Sequence, residues 1–420
     1  MRLATVIVLL GTSLGAIASA QASADADFDA LTLADTANVT VSAPSRWRGA
    51  FEIALANYGA ASQTRDTHGS DTFRVGSSFA YDGTLVDGWR AVVSNRIDMG
   101  WRRADGNATA IDTFKQAYVS RQATPSFLMD VGRINVREGV GSGFNPTDFF
   151  KAGALRSIVS IDPASLRENR LGTVMLRAQT LWAGGSLSML VSPRLAGRSS
   201  DAALSPDFGA TNHEWRYLIS GTQRLFQGFS PQWLVYGGAR ISPQLGINAT
   251  ALVGDATVAF FEYAGGRGKA LADGPAVGDR FHSRLSSGVT RTLPGKVSVT
   301  LEYDYDGLSA NRSTWHALSF DPARYGSYRD AVSRNQELTT RQSIFAYVTW
   351  QDSIVRHLDT TLMGRYDLVD HSAFTWVEAR YHWPRIDLAV QWQADCGGAH
   401  STFGAAAQSE VLQAIATFYF

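Results

Sequence analysis

The sequence predicts an all-β fold, a transmembrane antiparallel β-barrel of about 18 strands (16–18) behind an N-terminal signal peptide. Three observations predict it. Apolar and polar residues alternate with period two along much of the chain, tight and long connections take turns, and the last strand closes on an aromatic residue.

Residues 1–24 read as the signal peptide: Arg2 is the single basic residue, Leu3 to Ile17 the apolar run, and Ala18-Ser19-Ala20 and Ala22-Ser23-Ala24 offer cleavage sites. That run is shorter than the ~20 residues a spanning helix needs, and no cysteine near either site supports a lipid anchor. Residues 25–44 carry Asp25, Asp27, Asp29 and Asp35 around the short apolar piece Phe28 to Leu33. They read as an acidic periplasmic leader without fixed structure, the alternatives being a segment that binds a periplasmic partner or plugs the lumen.

The barrel is expected over residues 45–420. No run of 18 apolar residues follows the leader, which excludes a helical membrane protein, and no Pro- or Ser-rich linker divides the chain into soluble domains. Lys plus Arg equals Asp plus Glu at 38 each, so net charge gives no reason to expect nucleic acid as a partner. The single cysteine, Cys396, forms no internal disulfide, leaving a closed hydrogen-bonded ladder as the source of stability for an exported chain.

Candidate strands fall at 45–58, 71–81, 88–102, 111–121, 126–137, 169–181, 186–194, 214–225, 231–241, 244–253, 256–264, 280–292, 296–306, 341–352, 357–369, 373–382, 385–394 and 408–420. In the third, Trp89, Ala91, Val93, Ile97, Met99 and Trp101 share one face, while Arg90, Ser94, Arg96, Asp98 and Arg102 share the other. The thirteenth sets Val297, Val299, Leu301, Tyr303 and Tyr305 against Lys296, Ser298, Thr300, Glu302 and Asp304. Alternation alone also fits a soluble sandwich. Connection lengths decide against it: tight turns such as Gly254-Asp255 and Trp383-Pro384 alternate with long segments such as 138–168 and 307–340, the asymmetry of short periplasmic turns and long outer loops. Trp89, Trp101, Trp233, Trp350, Trp376 and Trp383 near strand ends suit interfacial girdles. The last strand carries Leu412, Ala414, Ala416, Phe418 and Phe420 on one face; Phe418 and Phe420 resemble the terminal signal that the barrel assembly machinery reads in bacterial outer-membrane proteins.

The least strand-like stretch is the most informative. Gly132-Arg133 is followed by Gly139-Val140-Gly141-Ser142-Gly143 and then by Asn145-Pro146-Thr147-Asp148, residues that permit unusual backbone angles and start turns or cap a short helix. Over roughly residues 110–195, and in the terminal strand, the chain resembles a widespread group of proteobacterial outer-membrane β-barrels, porin-like or export-channel-like, with a Gly-Arg strand and an Asn-Pro-x-Asp loop. The resemblance implies transport without naming a cargo.

Arg90, Arg96, Asp98, Arg133, Arg137, Asp148, Lys151 and Arg156 are the candidate lumen or constriction residues, and a loop over 138–168 that folds inward would set them across the bore. The competing reading is a set of solvated loop charges. Enzyme chemistry is not expected, because the pairs His282-Ser283, His371-Ser372 and His400-Ser401 are adjacent and on a strand would point to opposite faces. No metal site and no cofactor are expected either. The expectation is an outer-membrane channel for passage or export of a polar or amphipathic solute, with outer-membrane lipid and the assembly machinery as partners. The alternative is a plugged structural or assembly barrel working with a periplasmic partner, and a barrel lipase or deacylase comes last.

Overall fold

The computed structural model describes residues 46–60, 70–102, 108–200, 202–226, 228–273, 277–406 and 408–420; the expected signal peptide, 1–24, and acidic segment, 25–44, lie outside them. Among the described residues the strands are β1 (Trp47–Ala60), β2 (Ser70–Val86), β3 (Trp89–Arg102), β4 (Ala108–Thr124), β5 (Phe127–Ile134), β6 (Thr173–Trp182), β7 (Gly185–Ser192), β8 (Arg216–Gln223) and β9 (Gln232–Gly238). They continue with β10 (Ile241–Val253), β11 (Thr257–Gly268), β12 (Arg280–Leu293), β13 (Val297–Asp306), β14 (Gln342–Trp350), β15 (Leu358–Asp367), β16 (Ala373–His382), β17 (Ile386–Cys396) and β18 (Gln408–Tyr419). Each pairs antiparallel with its sequence neighbours, and β1 pairs with both β2 and β18, so the 18-stranded sheet closes on itself.

The period-two pattern sorts the faces. On β13, Thr300, Glu302, Asp304 and Asp306 are buried toward the lumen while Leu301, between them, is half exposed on the outside. Phe51, Phe73, Val131, Phe261, Val390 and Leu412 continue this apolar outward belt around the barrel. With every ladder bond made internally and an apolar exterior, the wall is that of a barrel spanning the outer membrane. Among the described residues no helix is long and apolar enough to cross a membrane, which does not bear on crossing by strands. The last residues complete closure: Phe51 stands opposite Phe418, and the backbones of Gly49 and Phe420 exchange two hydrogen bonds of 3.0 Å.

Five of the six girdle tryptophans face outward, but Trp376 does not. It is 2 % exposed and points into the lumen from β16, because the inward register there is Trp376, Glu378, Arg380 and His382 rather than its odd-numbered neighbours.

Wall height is uneven. β2, β3 and β4 have 17, 14 and 17 residues, whereas β5 to β9 have only 8, 10, 8, 8 and 7. Beside this low sector the chain between β7 and β8 carries exposed Leu195, Leu204, Phe208 and Trp215, which continue the apolar exterior without a strand. Helix α1 (Pro163–Glu168) lies in the long segment after β5 and α2 (Phe208–Thr211) in the segment after β7. After β13, α3 (Arg312–Ser319) and α4 (Pro322–Asn335) form a hairpin around Trp315, Leu318, Tyr328 and Val332.

Candidate functional site

β5 stops at Ile134, and residues 135–172 turn into the lumen before the chain rejoins the wall at β6. What draws them in is a pair of wall carboxylates. Glu262 on β11 and Glu302 on β13 point inward, are almost wholly buried, and accept bonds from the glycine-rich backbone. The N–H groups of Val140 and Gly141 donate to Glu262 Oε2 at 2.8 and 3.1 Å, and Thr147 donates to its Oε1 through both N and Oγ1 at 2.8 Å. Ser142 N donates to Glu302 Oε2 at 2.8 Å, and Gly143 and Phe144 N to its Oε1 at 3.0 and 2.9 Å. A buried carboxylate demands such donors, and a backbone without side chains can approach closely enough to supply them. Gly139 shows the constraint: its φ is +95°, and a Cβ there would lie 2.6 Å from Glu262 Oε1.

Beyond Asn145-Pro146-Thr147-Asp148, which forms a turn and not a helix cap, Phe149 stacks on the lumen-facing Tyr236 at 4.5 Å. Phe150 joins it in a core with Leu190, Leu218 and Leu234. Asp148 is bound by Arg170 at 2.7 Å, both fully buried. Lys151 bonds Glu337 at 3.0 Å, and Glu337 in turn meets Arg284 of β12 at 3.2 Å.

The returning limb crosses to the opposite wall. Arg74 of β2 donates to the carbonyls of Ile158 and Val159 at 3.1 and 3.2 Å. Gln391 of β17 donates to Ser160 Oγ at 3.3 Å, and Tyr347 of β14 donates to Asp162 Oδ1 at 2.7 Å. Asp162 also caps α1 through Ser165 N, with Pro163 at the first helical position. Burial pushes the Asp162 carboxyl up despite these two donors. Burial likewise raises the half-buried loop residue Glu138 to about 7, against the hydrogen bond from Gln232 that lowers it.

Two cavities flank this limb. The outer one, about 500 Å³, lies between the loop, α4 and the lumen faces of β14 to β17, and includes Ile161 and Pro163. The inner one, about 450 Å³, includes Ser160 and Asp162 with Arg96, Glu378 and Arg380. They meet at residues 160–163.

The expected site residues are scattered over this arrangement. Arg96 lines the inner cavity, bonded to Glu52 at 2.9 Å and Asp98 at 2.8 Å. Asp148 and Lys151 line the outer one. Arg90 pairs with Asp82 close to the tight β2–β3 turn, away from the loop, and Arg137 is exposed at the start of the loop, outside both linings.

Two expectations are corrected. Arg133 does not face the bore: it shares the outward register of Val131 and lies between the rings of Phe114 and Phe208, 5.7 and 4.9 Å from their centroids. Arg156 is not a lumen charge either. β5 pairs with β4 only from Ala117 onward, so the outer half of β4, paired with β3 on one side, has no strand on the other. Arg156 fills the gap by donating to the carbonyls of Asp112 and Ser205 at 2.8 Å, Ser200 at 3.2 Å and Ala202 at 3.3 Å. Oxygens near lipid have no water to bond, and one guanidinium supplies the missing donors.

Glu262, Glu302 and Ile161 escaped sequence reasoning. A signal existed for Glu302: it stands with Asp304 and Asp306 on one inward face with no cation on that strand, and such a row requires donors from elsewhere.

No protein-family model matches the sequence, and no curated protein sequence does. Solved structures do match in fold. The BenF-like porin of Pseudomonas fluorescens Pf-5 superposes with a TM-score of 0.57 at 10% identity, covering 89% of this chain and 98% of that one. OccAB1 of Acinetobacter baumannii gives 0.56 at 8%, covering 89% and 96%, and the outer membrane protein OprD of Pseudomonas aeruginosa gives 0.53 at 12%, covering 89% and 92%. Identities this low carry the likeness of fold alone.

Proposed function

We propose that the chain is an outer-membrane channel through which a polar or amphipathic solute passes along the β14–β17 side of the inward loop. One observation carries this reading: a single loop crosses the lumen and a cavity lies on each side of its residues 160–163. The likeness to a BenF-like porin supports it. Charged groups paired within the inner cavity, Arg96 with Glu52 and Arg380 with Glu378, suit a wetted path, since their fields act on a solute without an unpaired charge being buried. Assembly through the final strand, with Phe418 and Phe420 read by the barrel assembly machinery, belongs to the same reading.

The second reading is a plugged barrel that works with a periplasmic partner, favoured by the number of bonds tying the loop to Glu262 and Glu302. Planar-bilayer reconstitution separates the two. Steady unitary conductance supports the channel, whereas a silent barrel that co-purifies with a periplasmic protein supports the plug.

A further inference from the structure

A barrel lumen is ordinarily polar, yet β14, β15 and β16 turn Phe345, Met363, Phe374 and Trp376 inward. Met363 and Trp376 stand opposite each other in the ladder, and Phe345 and Phe374 both flank Arg365, so the four form one continuous strip. Ile161 of the loop packs against it. Phe345, Met363 and Trp376 are each under 5 % exposed, so the wall side of the contact is dry; Phe345, Met363 and Phe374 extend it into the lining of the outer cavity, while the inner cavity below has a mainly polar wall. The residues on both sides of Ile161 are pinned through their side chains, Ser160 by Gln391 and Asp162 by Tyr347, so Ile161 is presented at a fixed place.

We propose that Ile161 and this strip are the selectivity contact of the channel, and that they favour solutes carrying a flat apolar group over fully hydrated solutes of similar size. The inference rests on the channel reading above. To pass, a solute must part Ile161 from the strip. A flat apolar group replaces the contact it breaks, whereas a hydrated ion must shed water or leave the strip wet. Hydrophobic constrictions oppose ions in this way without any charge of their own. Arg365, whose guanidinium lies 5.2 Å from the Phe345 ring centroid and donates to the Gly143 carbonyl, holds the loop and the strip together at their outer edge.

The test uses the full-length barrel in planar bilayers with potassium chloride, and in proteoliposomes with labelled phenylalanine and glutamine, which carry the same net charge. Ile161→Ser and Ile161→Ala should raise unitary conductance by about threefold or more, and should bring a phenylalanine preference of the unmodified protein close to parity. Ile158→Ser, in the same limb but exposed and outside the strip, should change neither. The proposal is overturned if the Ile161 variants conduct as the parent does, if Ile158→Ser matches them, or if the unmodified protein takes both amino acids equally. Silence of the parent and all variants in both assays would overturn the channel reading itself.

Discussion

Two apolar parts of the lumen wall take side chains from the loop, and the loop treats them differently. Along β7 to β9, Leu190, Leu218, Leu234 and Tyr236 are sealed under Phe149 and Phe150, and neither of the two cavities touches that contact. Along β14 to β16, Phe345, Met363 and Trp376 receive one loop side chain, Ile161, and the close-packed backbone of Gly143, with a cavity on either side. The same physical force gives a core in one place and a boundary between two compartments in the other. The difference lies in what the loop inserts. Glu262 grips the loop backbone toward the first wall and Glu302, opposite Phe345 in the ladder, grips it beside the second, but only the first wall receives two whole aromatic side chains, Phe149 and Phe150.

The largest effect should come from removing those anchors. Glu262→Ala with Glu302→Ala strands a row of backbone donors, at about 1–3 kcal/mol for each one left buried and unpaired. The loop should leave the first wall, conductance should rise and become noisy, and a protease should cut between residues 139 and 147. A double variant with quiet, parental conductance and an uncut loop would show that Phe149 and Phe150 suffice.

Phe150→Ala should follow, costing about 3–5 kcal/mol as a truncation in a packed core. Ile161→Ala should cost clearly less, because its side chain is only partly buried. Denaturant unfolding in detergent compares them, and equal losses would erase the distinction between core and boundary.

On the other side of the anchoring wall, Val299→Arg should cost about 2–4 kcal/mol near the bilayer midplane. Its inward neighbour Thr300, bonded to Thr290 at 2.8 Å and close to Glu302 along the strand, should accept arginine at a smaller cost. Folding titrations into lipid vesicles read both; a larger penalty at Thr300 would mean that this part of the lumen is as tightly packed as the Phe150 core.

The smallest effect concerns Glu138 and pH. Burial raises its folded value to about 7 from 4.5, so the folded state holds the proton more tightly than the unfolded one. This group's contribution to stability therefore falls as pH rises from about 4.5 to about 7, and ionisation adds a negative charge near the loop. Cation selectivity, measured as a reversal potential, should increase slightly as pH rises through about 7 in the parent, where the folded group ionises, and stay flat in Glu138→Gln. A slope that persists in Glu138→Gln would assign the titration elsewhere.

The strands were legible because period two needs only local sequence: all eighteen were expected near their observed places, and the shortfall at β5, ending at Ile134 and not at 137, marks where the loop departs. That the loop could fold inward was legible from its glycines and charges, but the sequence left this open beside an exposed loop of solvated charges. Its partners were not, since Glu262 and Glu302 lie more than a hundred residues away and nothing local sets the shear that brings them opposite Gly141 and Gly143. Charge misled in the other direction. Arg133 and Arg156 looked like pore charges because sequence shows a guanidinium but not its register, and the low wall of β5 moved both out of the bore.

That low wall has a kinetic consequence. Everywhere else in the described wall, neighbouring strands zip together through a ladder that can form as soon as they meet. Between the outer half of β4 and the chain after β7, one backbone bond, from Asp112 N to the Ala203 carbonyl, is supplemented by Arg156, which comes from within the loop. The carbonyls on both sides of this join gain their full set of donors when the loop has entered the lumen and delivered that side chain, so completing the wall here requires the docking of a loop as well as the pairing of strands.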